Sequence, residues 1–464
     1  MSVDETNSDP KGRSSASPRP PVPASPRLLP AITFTFGTRV LMIVNSVLAG
    51  VVVAHWLGVE SVGQLAVINV TVTTIVQLAS LGLPSSNTFF IARDHRHFRS
   101  AALNSLLFAI LAGSLLAVAL SVTAELRPTW FTAIPPSLMR VAAISIPFQL
   151  LTLIGLNIFL AVGRIKEFNF LDLLGQSFVL INAVVVLLLL KRGLPALVTL
   201  NTLTNILVAL VVASFLVIAG KRLVESNWRA DLSLLGQMLS YGIKFHISIL
   251  AGALIFRADL LVVNLFRGPA EAGVYSVASQ VGMMLMLLPG AIATLLFPRV
   301  TAEQDQRGET TCQVTRHTAF AMVLCCLAAI PLSLLLPVVY GSSFTDASLQ
   351  LWILLPGVYL VALQSVLVQH FNALGLPRII PTFWIVTLVI NIILVFALVP
   401  RFGARGAAVA SALSYSLIFA LVTIRFLQTS GRSFGEIFFL SPVELRQLLQ
   451  LRTGAGLLTR GVSR

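Results

Sequence analysis

Apolar runs of about twenty residues recur along the chain from Ile32 to Leu427, parted by short polar connections. A run of that length matches one helical crossing of a bilayer, whose hydrocarbon core is about 30 Å thick. The pattern predicts spans over residues 32–54, 62–84, 101–123, 141–162, 172–190 and 196–220 in the first half. Those of the second half cover 241–264, 272–296, 317–339, 349–373, 379–399 and 406–427. The expected fold is an all-α polytopic membrane protein of about 12 transmembrane helices.

Composition agrees and excludes other classes. Of 464 residues, 56% are hydrophobic and 11% charged, against roughly 25% charged in a soluble domain. A soluble enzyme and a secreted disulfide scaffold are both excluded. The net charge of +14 would suggest nucleic acid in a soluble protein. Here the basic residues lie in short connections, so the positive-inside rule applies and no nucleic-acid partner is expected. With the N-terminus inside, 24 basic residues fall on the cytoplasmic side, seven on the other, and Arg257 within a span. Both termini are therefore expected in the cytoplasm.

Residues 1–30 hold seven prolines, six serines and no aromatic, a composition that cannot bury enough surface to fold. They are read as a disordered cytoplasmic tail without a signal-peptide pattern. The longest outer connection, 124–140, leaves no room for an extracytoplasmic active-site domain. Ser441, Pro442 and Glu444 read as the start of a short amphipathic helix with Leu445, Leu448, Leu449 and Leu451. Cys312, Cys325 and Cys326 lack metal-site spacing and are read as packing residues. The expected division is a tail (1–30), a six-helix lobe (31–220), a cytoplasmic linker (221–240), a second six-helix lobe (241–428) and a cytoplasmic tail (429–464).

The two halves echo each other. Gly58 and Gly63 match Gly268 and Gly273 at an offset of 210, each pair lying between two spans. Phe159, Ala161 and Gly163 match Phe371, Ala373 and Gly375, and Asn182 matches Asn391. Six spans per half give both halves one orientation, so they should relate by an axis along the membrane normal and enclose a central cavity.

Several short motifs carry a family resemblance. Leu57-Gly58-Val59-Glu60-Ser61-Val62-Gly63 and Gly273-Val274-Tyr275-Ser276-Val277-Ala278 resemble the paired signatures of the polysaccharide-biosynthesis flippases. These belong to the multidrug/oligosaccharidyl-lipid/polysaccharide exporter superfamily. Leu296-Phe297-Pro298, Pro337-Val338-Val339-Tyr340-Gly341 and the stretch from Pro400 to Ala408 are similar to the same pattern. The resemblance covers about 31–430, and the Pro/Ser-rich tail lies outside it. It implies two six-helix pseudo-symmetric lobes around a V-shaped cavity, in the plasma (inner) membrane of a prokaryote. It further implies outward movement of isoprenoid pyrophosphate-linked oligosaccharide, with a glycan polymerase or export machinery as candidate partners.

No catalytic constellation or phosphate-binding loop occurs, so the chain is read as a transporter without cofactor or metal, not an enzyme. Polar residues inside the bilayer are costly and mark transport pathways. On a continuous seventh span, His246, Ala253, Arg257 and Asn264 form one stripe whose cationic members suit a pyrophosphate. The other reading of Arg257 is snorkelling to the outer interface. Asp259 is either a proton- or sodium-coupling site or a partner of another helix. Asn69, Thr73 and Gln77 form a second-span stripe that suits sugar hydroxyls or, equally, helix packing. Arg39 is a further substrate candidate that could instead snorkel, and Asn157, Gln369 and His370 are weaker ones. The leading expectation is a lipid-linked oligosaccharide flippase working by alternating access. Its rivals are a cation-coupled multidrug antiporter, a peptidoglycan-precursor flippase and a glycan polymerase or ligase, the last lacking the large outer loop it would need.

Overall fold

The computed structural model describes residues 28–223, 228–303, 305, 307–375 and 379–438. Most of the predicted N-terminal tail and the helix expected from Ser441 lie outside the described residues. The first helix begins at Leu28, inside the predicted tail; Pro30 is tolerated there because first-turn amides have no intrahelical acceptor. Among the described residues every regular element is helical.

Ten helical segments are long and apolar enough to cross a membrane, and two of them, Phe34–Ala79 and Ile379–Ser430, run for 46 and 52 residues. Fifty-two residues of helix would extend about 78 Å, far beyond one bilayer. Each is broken by a glycine outside helical geometry, Gly58 at φ 78° and Gly403 at φ 59°. Each therefore crosses twice, which gives the twelve spans read from the sequence. The first two are residues 28–57 and 59–79, and the last two 379–402 and 404–430. The seventh covers 232–267, the eighth 269–303 and the tenth Thr345–Ala373.

The sequence repeat is a repeat in space. Gly58 and Gly268 adopt nearly the same conformation, φ 78° and ψ 176° against φ 85° and ψ 176°. Gly163 and Gly375 both take positive φ, 71° and 106°, where a Cβ would be strained. Buried Asn182 donates to Thr204 Oγ1 at 2.9 Å, and buried Asn391 donates to Ser414 Oγ at 3.0 Å. The same amide-to-hydroxyl bond thus ties the fifth span to the sixth and the eleventh to the twelfth.

The two lobes meet near Gly82, where an added Cβ would overlap the Gly242 carbonyl, and at the end of the bundle away from the chain's described start, here the far end. Here the second and eighth spans touch backbone to backbone. A Cβ on Gly63 would overlap the Pro269 carbonyl, and one on Gly273 would overlap the Val59 carbonyl. Small residues permit this approach where lipid supplies no hydrophobic drive between helices. Nearer the tail end, Gln280 donates to Ser46 Oγ at 2.8 Å, and Ser86 Oγ donates to the Met238 carbonyl at 2.6 Å.

The seventh span is not continuous. Its halves, Leu232–Ile255 and Ala258–Arg267, are parted at Phe256 and Arg257, where Arg257 has φ −137°. Interrupted backbone at membrane depth is tolerated where it lines a cavity or is buried in protein.

Gly63→Ala should destabilise the protein by roughly 1–3 kcal/mol through overpacking. Gly236→Ala, at a helical glycine with nothing within 4 Å of the added Cβ, should be neutral or slightly stabilising. Thermal loss of the monodisperse fraction in detergent compares the two.

Candidate functional site

Two adjoining cavities open beside the break in the seventh span. One, of about 540 Å³, lies among the seventh, tenth and eleventh spans and is lined by Lys244, Ser248, Phe256, Asn372 and Trp384. The other, of about 510 Å³, is lined from the eighth and tenth spans by Thr294, Gln364, Ser365 and Gln369. Phe256, Val368 and Trp384 wall both. Among the described residues no carboxylate lines either.

Arg257 stands at the break. Its Nη1 donates to Thr73 Oγ1 at 3.0 Å, across 184 positions of sequence and from one lobe to the other. The Thr73 hydroxyl in turn donates to the Asn69 carbonyl at 2.7 Å. Arg257 lies eleven residues from Gly268, about 17 Å along the helix. Thr73 lies fifteen from Gly58, about 22 Å. Both sit within the hydrocarbon depth. Arg257 is the non-helical cap of the far half-helix, and its guanidinium turns to Thr73 on the other lobe. Among the described residues it has no carboxylate partner. Asn69 is exposed beside it, Thr73 and Gln77 half-buried.

The predicted straight stripe on the seventh span does not hold, because the helix breaks within it. His246 is buried against the Leu78 backbone, with neither ring nitrogen in a hydrogen bond of ordinary geometry. Asn264 is fully buried and both its side-chain polar atoms lack a partner among the described residues. Arg257, by contrast, is exposed. The helix breaks one turn after Gly252, whose carbonyl accepts the Phe256 amide at 3.2 Å, and no proline marks the position.

Asp259 lies two residues on, in the first turn of the far half-helix, and is 1% exposed. Its Oδ2 accepts from the Tyr275 hydroxyl and, at 2.7 Å, from Ser411 Oγ. Its Oδ1 accepts from the Leu260 amide at 2.8 Å. The eighth and twelfth spans thus close on one carboxylate. At the repeat offset of 210 the first half has Ala49, Leu65 and Asn201 instead, so this cluster exists in one lobe only.

Arg39 is apart from all of these. It pairs with Asp172 at 3.0 Å and lies over the Phe168 ring at 5.9 Å, tying the first span to the fifth. Asp172 sits a full two turns inside the helix from Ile165, so Asp259 is not alone as a carboxylate within a span. His370 meets Thr311 Oγ1 at 3.3 Å and packs on Phe426, a core role. Tyr275 and Ser411 escaped the sequence reading because their role depends on a contact between spans 8 and 12. Trp384 and Gln364 escaped it because each is one ordinary residue in an apolar run.

Residues 31–304 match the family described as "Polysaccharide biosynthesis protein". The chain is 27% identical over 165 residues to the "Probable low-salt glycan biosynthesis flippase Agl15" of Haloferax volcanii. That match covers 34% of this chain and 35% of the relative, so it spans about a third of the relative's length. Among solved structures, "Lipid II flippase MurJ, inward closed conformation" superposes with a TM-score of 0.70 at 16% identity, covering 92% of this chain and 96% of that one. An inward-facing multidrug resistance MATE family transporter of the MOP superfamily gives 0.69 at 15% identity, covering 84% and 96%. At such identity the likeness is one of fold.

Tyr275→Phe keeps the ring and removes one donor from the buried Asp259 carboxylate. It should lower stability by about 1–3 kcal/mol, read as a fall in the thermal midpoint in detergent, with Ser411→Ala acting in the same direction.

Proposed function

Because the chain belongs to the polysaccharide biosynthesis protein family, we propose that it is a flippase, moving polyprenyl-pyrophosphate-linked oligosaccharide across the plasma membrane by alternating access. The observation that carries this reading is Arg257, a guanidinium at bilayer depth held by a neutral hydroxyl and, among the described residues, no carboxylate. An unpaired cation in a low-dielectric site is costly. A pyrophosphate arriving between the lobes supplies the missing charge, and the guanidinium fork matches phosphate oxygens. Asn69, Thr73 and Gln77 line the same gap with neutral donors and acceptors. His246 and Asn264, buried with unmet polar atoms, are secondary candidates that would have to be uncovered by lobe movement. Arg39, already paired with Asp172, would act at the entrance.

The chain is read as a transporter and not an enzyme. The excess of basic residues places the tail end in the cytoplasm, where glycolipid is assembled and loaded. The first six spans and the last six are the two rocking lobes; the linker expected over 221–240 is shorter, since the seventh span already begins at Leu232. Asp259 is the candidate coupling group: sealed by Tyr275 and Ser411, it can exchange a proton or hold a sodium ion only when the spans around it part. The multidrug antiporter rival fares less well, since a cationic drug needs carboxylates and neither cavity is lined by one among the described residues. A peptidoglycan-precursor flippase shares the pyrophosphate argument and differs only in its glycan.

Purified protein in proteoliposomes separates these readings. With a fluorescent polyprenyl-pyrophosphate oligosaccharide, Arg257→Ala should slow translocation about tenfold or more. Asp259→Asn should retain binding and lose dependence on an imposed proton or sodium gradient. Efflux of a cationic dye without glycolipid movement would turn the reading to a drug antiporter.

A further inference from the structure

The paired cavities beside Phe256 have a wall chemistry of their own. On the tenth span, Gln364, Ser365, Val368, Gln369 and Asn372 follow one another on a single helical face and line them. Asn372 Nδ2 donates to Gln369 Oε1 at 3.0 Å, so these amides form a rail along that face. Gln364 is 2% exposed, and its Nε2 has no hydrogen-bond partner among the described residues. A buried amide donor left unmet costs about 1–3 kcal/mol, and in a native protein it points to a ligand or an ordered water.

Opposite the rail stand Trp384 and Phe256, ring centroids 6.5 Å apart and tilted by 60°. Gly252 of the seventh span lies against the Trp384 ring, which an added Cβ would meet in ordinary contact at 3.5 Å. The result is an aromatic wall facing neutral amides and hydroxyls, with Lys244 the charged residue at one mouth. Each cavity falls within the roughly 300–1,000 Å³ typical of small-molecule sites.

Three ligand classes can be weighed against that wall. A prenyl chain would suit the aliphatic residues that complete the lining, among them Ile249, Ala293 and Ile380, but would leave the Gln364 amide unmet; a cationic drug would meet Lys244 and, among the described residues, no carboxylate. A sugar ring presents faces of C–H bonds and a rim of hydroxyls, which aromatic rings and amides respectively receive. We propose that the two cavities form one glycan-holding subsite, with Trp384 as the stacking platform and Gln364 as a hydroxyl-reading amide, distinct from the pyrophosphate position at Arg257. The proposal rests on the flippase reading and assigns the part of the substrate beyond the pyrophosphate. Phe256, next to Arg257 in sequence, joins the two positions.

The test measures binding to the full chain in nanodiscs. The probes are farnesyl pyrophosphate and farnesyl-pyrophosphate glycosides carrying N-acetylglucosamine, galactose or rhamnose. The best-bound glycoside should exceed the sugar-free probe about tenfold. Trp384→Leu and Gln364→Leu should each erase most of that advantage without changing affinity for the sugar-free probe, and Trp384→Phe should retain most of it. If Trp384→Leu does not reconstitute, Gln364→Leu and Trp384→Ala carry the same comparison. Arg257→Ala should weaken every probe alike. The subsite is overturned by a wild type without glycoside preference, by a preference that survives both substitutions, or by a loss shared equally with the sugar-free probe. Glycoside preference that depends on Trp384, with farnesyl pyrophosphate indifferent to Arg257→Ala, overturns the pyrophosphate reading and leaves the subsite standing. Binding of no probe overturns both.

Discussion

The backbone contact of Gly63 with Pro269 and Gly273 is the constraint on which the architecture depends. It fixes the starts of the second and eighth spans against each other, and Gly58 and Gly268 set the angle at which the first and seventh spans arrive. Side chains around that contact, Val62 with Val274 and Val277, pack into one cluster. A second glycine contact, Gly82 against Gly242, joins the lobes further along, and Arg257 reaches Thr73 between the two along the chain. In a bilayer, where apolar surface gains nothing by leaving lipid, such close van der Waals contact is one of the few forces available to hold lobes together.

The break in the seventh span gives two residues, two positions apart, opposite surroundings. Asp259 is enclosed and receives three donors, which meets much of the cost of burying a polar carboxyl. Arg257 is exposed toward the other lobe with one neutral acceptor. The enclosed group braces the seventh, eighth and twelfth spans, and the exposed one reaches across to the other lobe. Had the helix run straight, both would sit on one rigid rod and could not be managed separately.

The sequence made the twelve spans and the duplication legible for physical reasons. Span length is a one-dimensional property of apolar runs, and glycine is the favoured residue where a repeated turn takes positive φ, as at Gly58 and Gly268. The site was legible only in pieces. Arg257, Thr73 and Asp259 stand out as polar residues in apolar surroundings, yet the bond between the first two crosses 184 positions and no proline marks the helix break. The Asp259 cluster draws on Tyr275 and Ser411, 16 and 152 positions away. Pairings of that kind are decided by how whole helices pack. Asp172 was passed over because it lies where the sequence pattern places the edge of a span, while the helix itself starts at Ile165.

The loss of the acidic cluster from the first lobe, where Ala49, Leu65 and Asn201 stand at the equivalent positions, has a geometric consequence. A chamber on a two-fold axis offers any occupant two identical seats, half a turn apart about the membrane normal. Replacing the acid, the phenol and the hydroxyl leaves the two lobes differently braced, so the two halves of the chamber are not interchangeable.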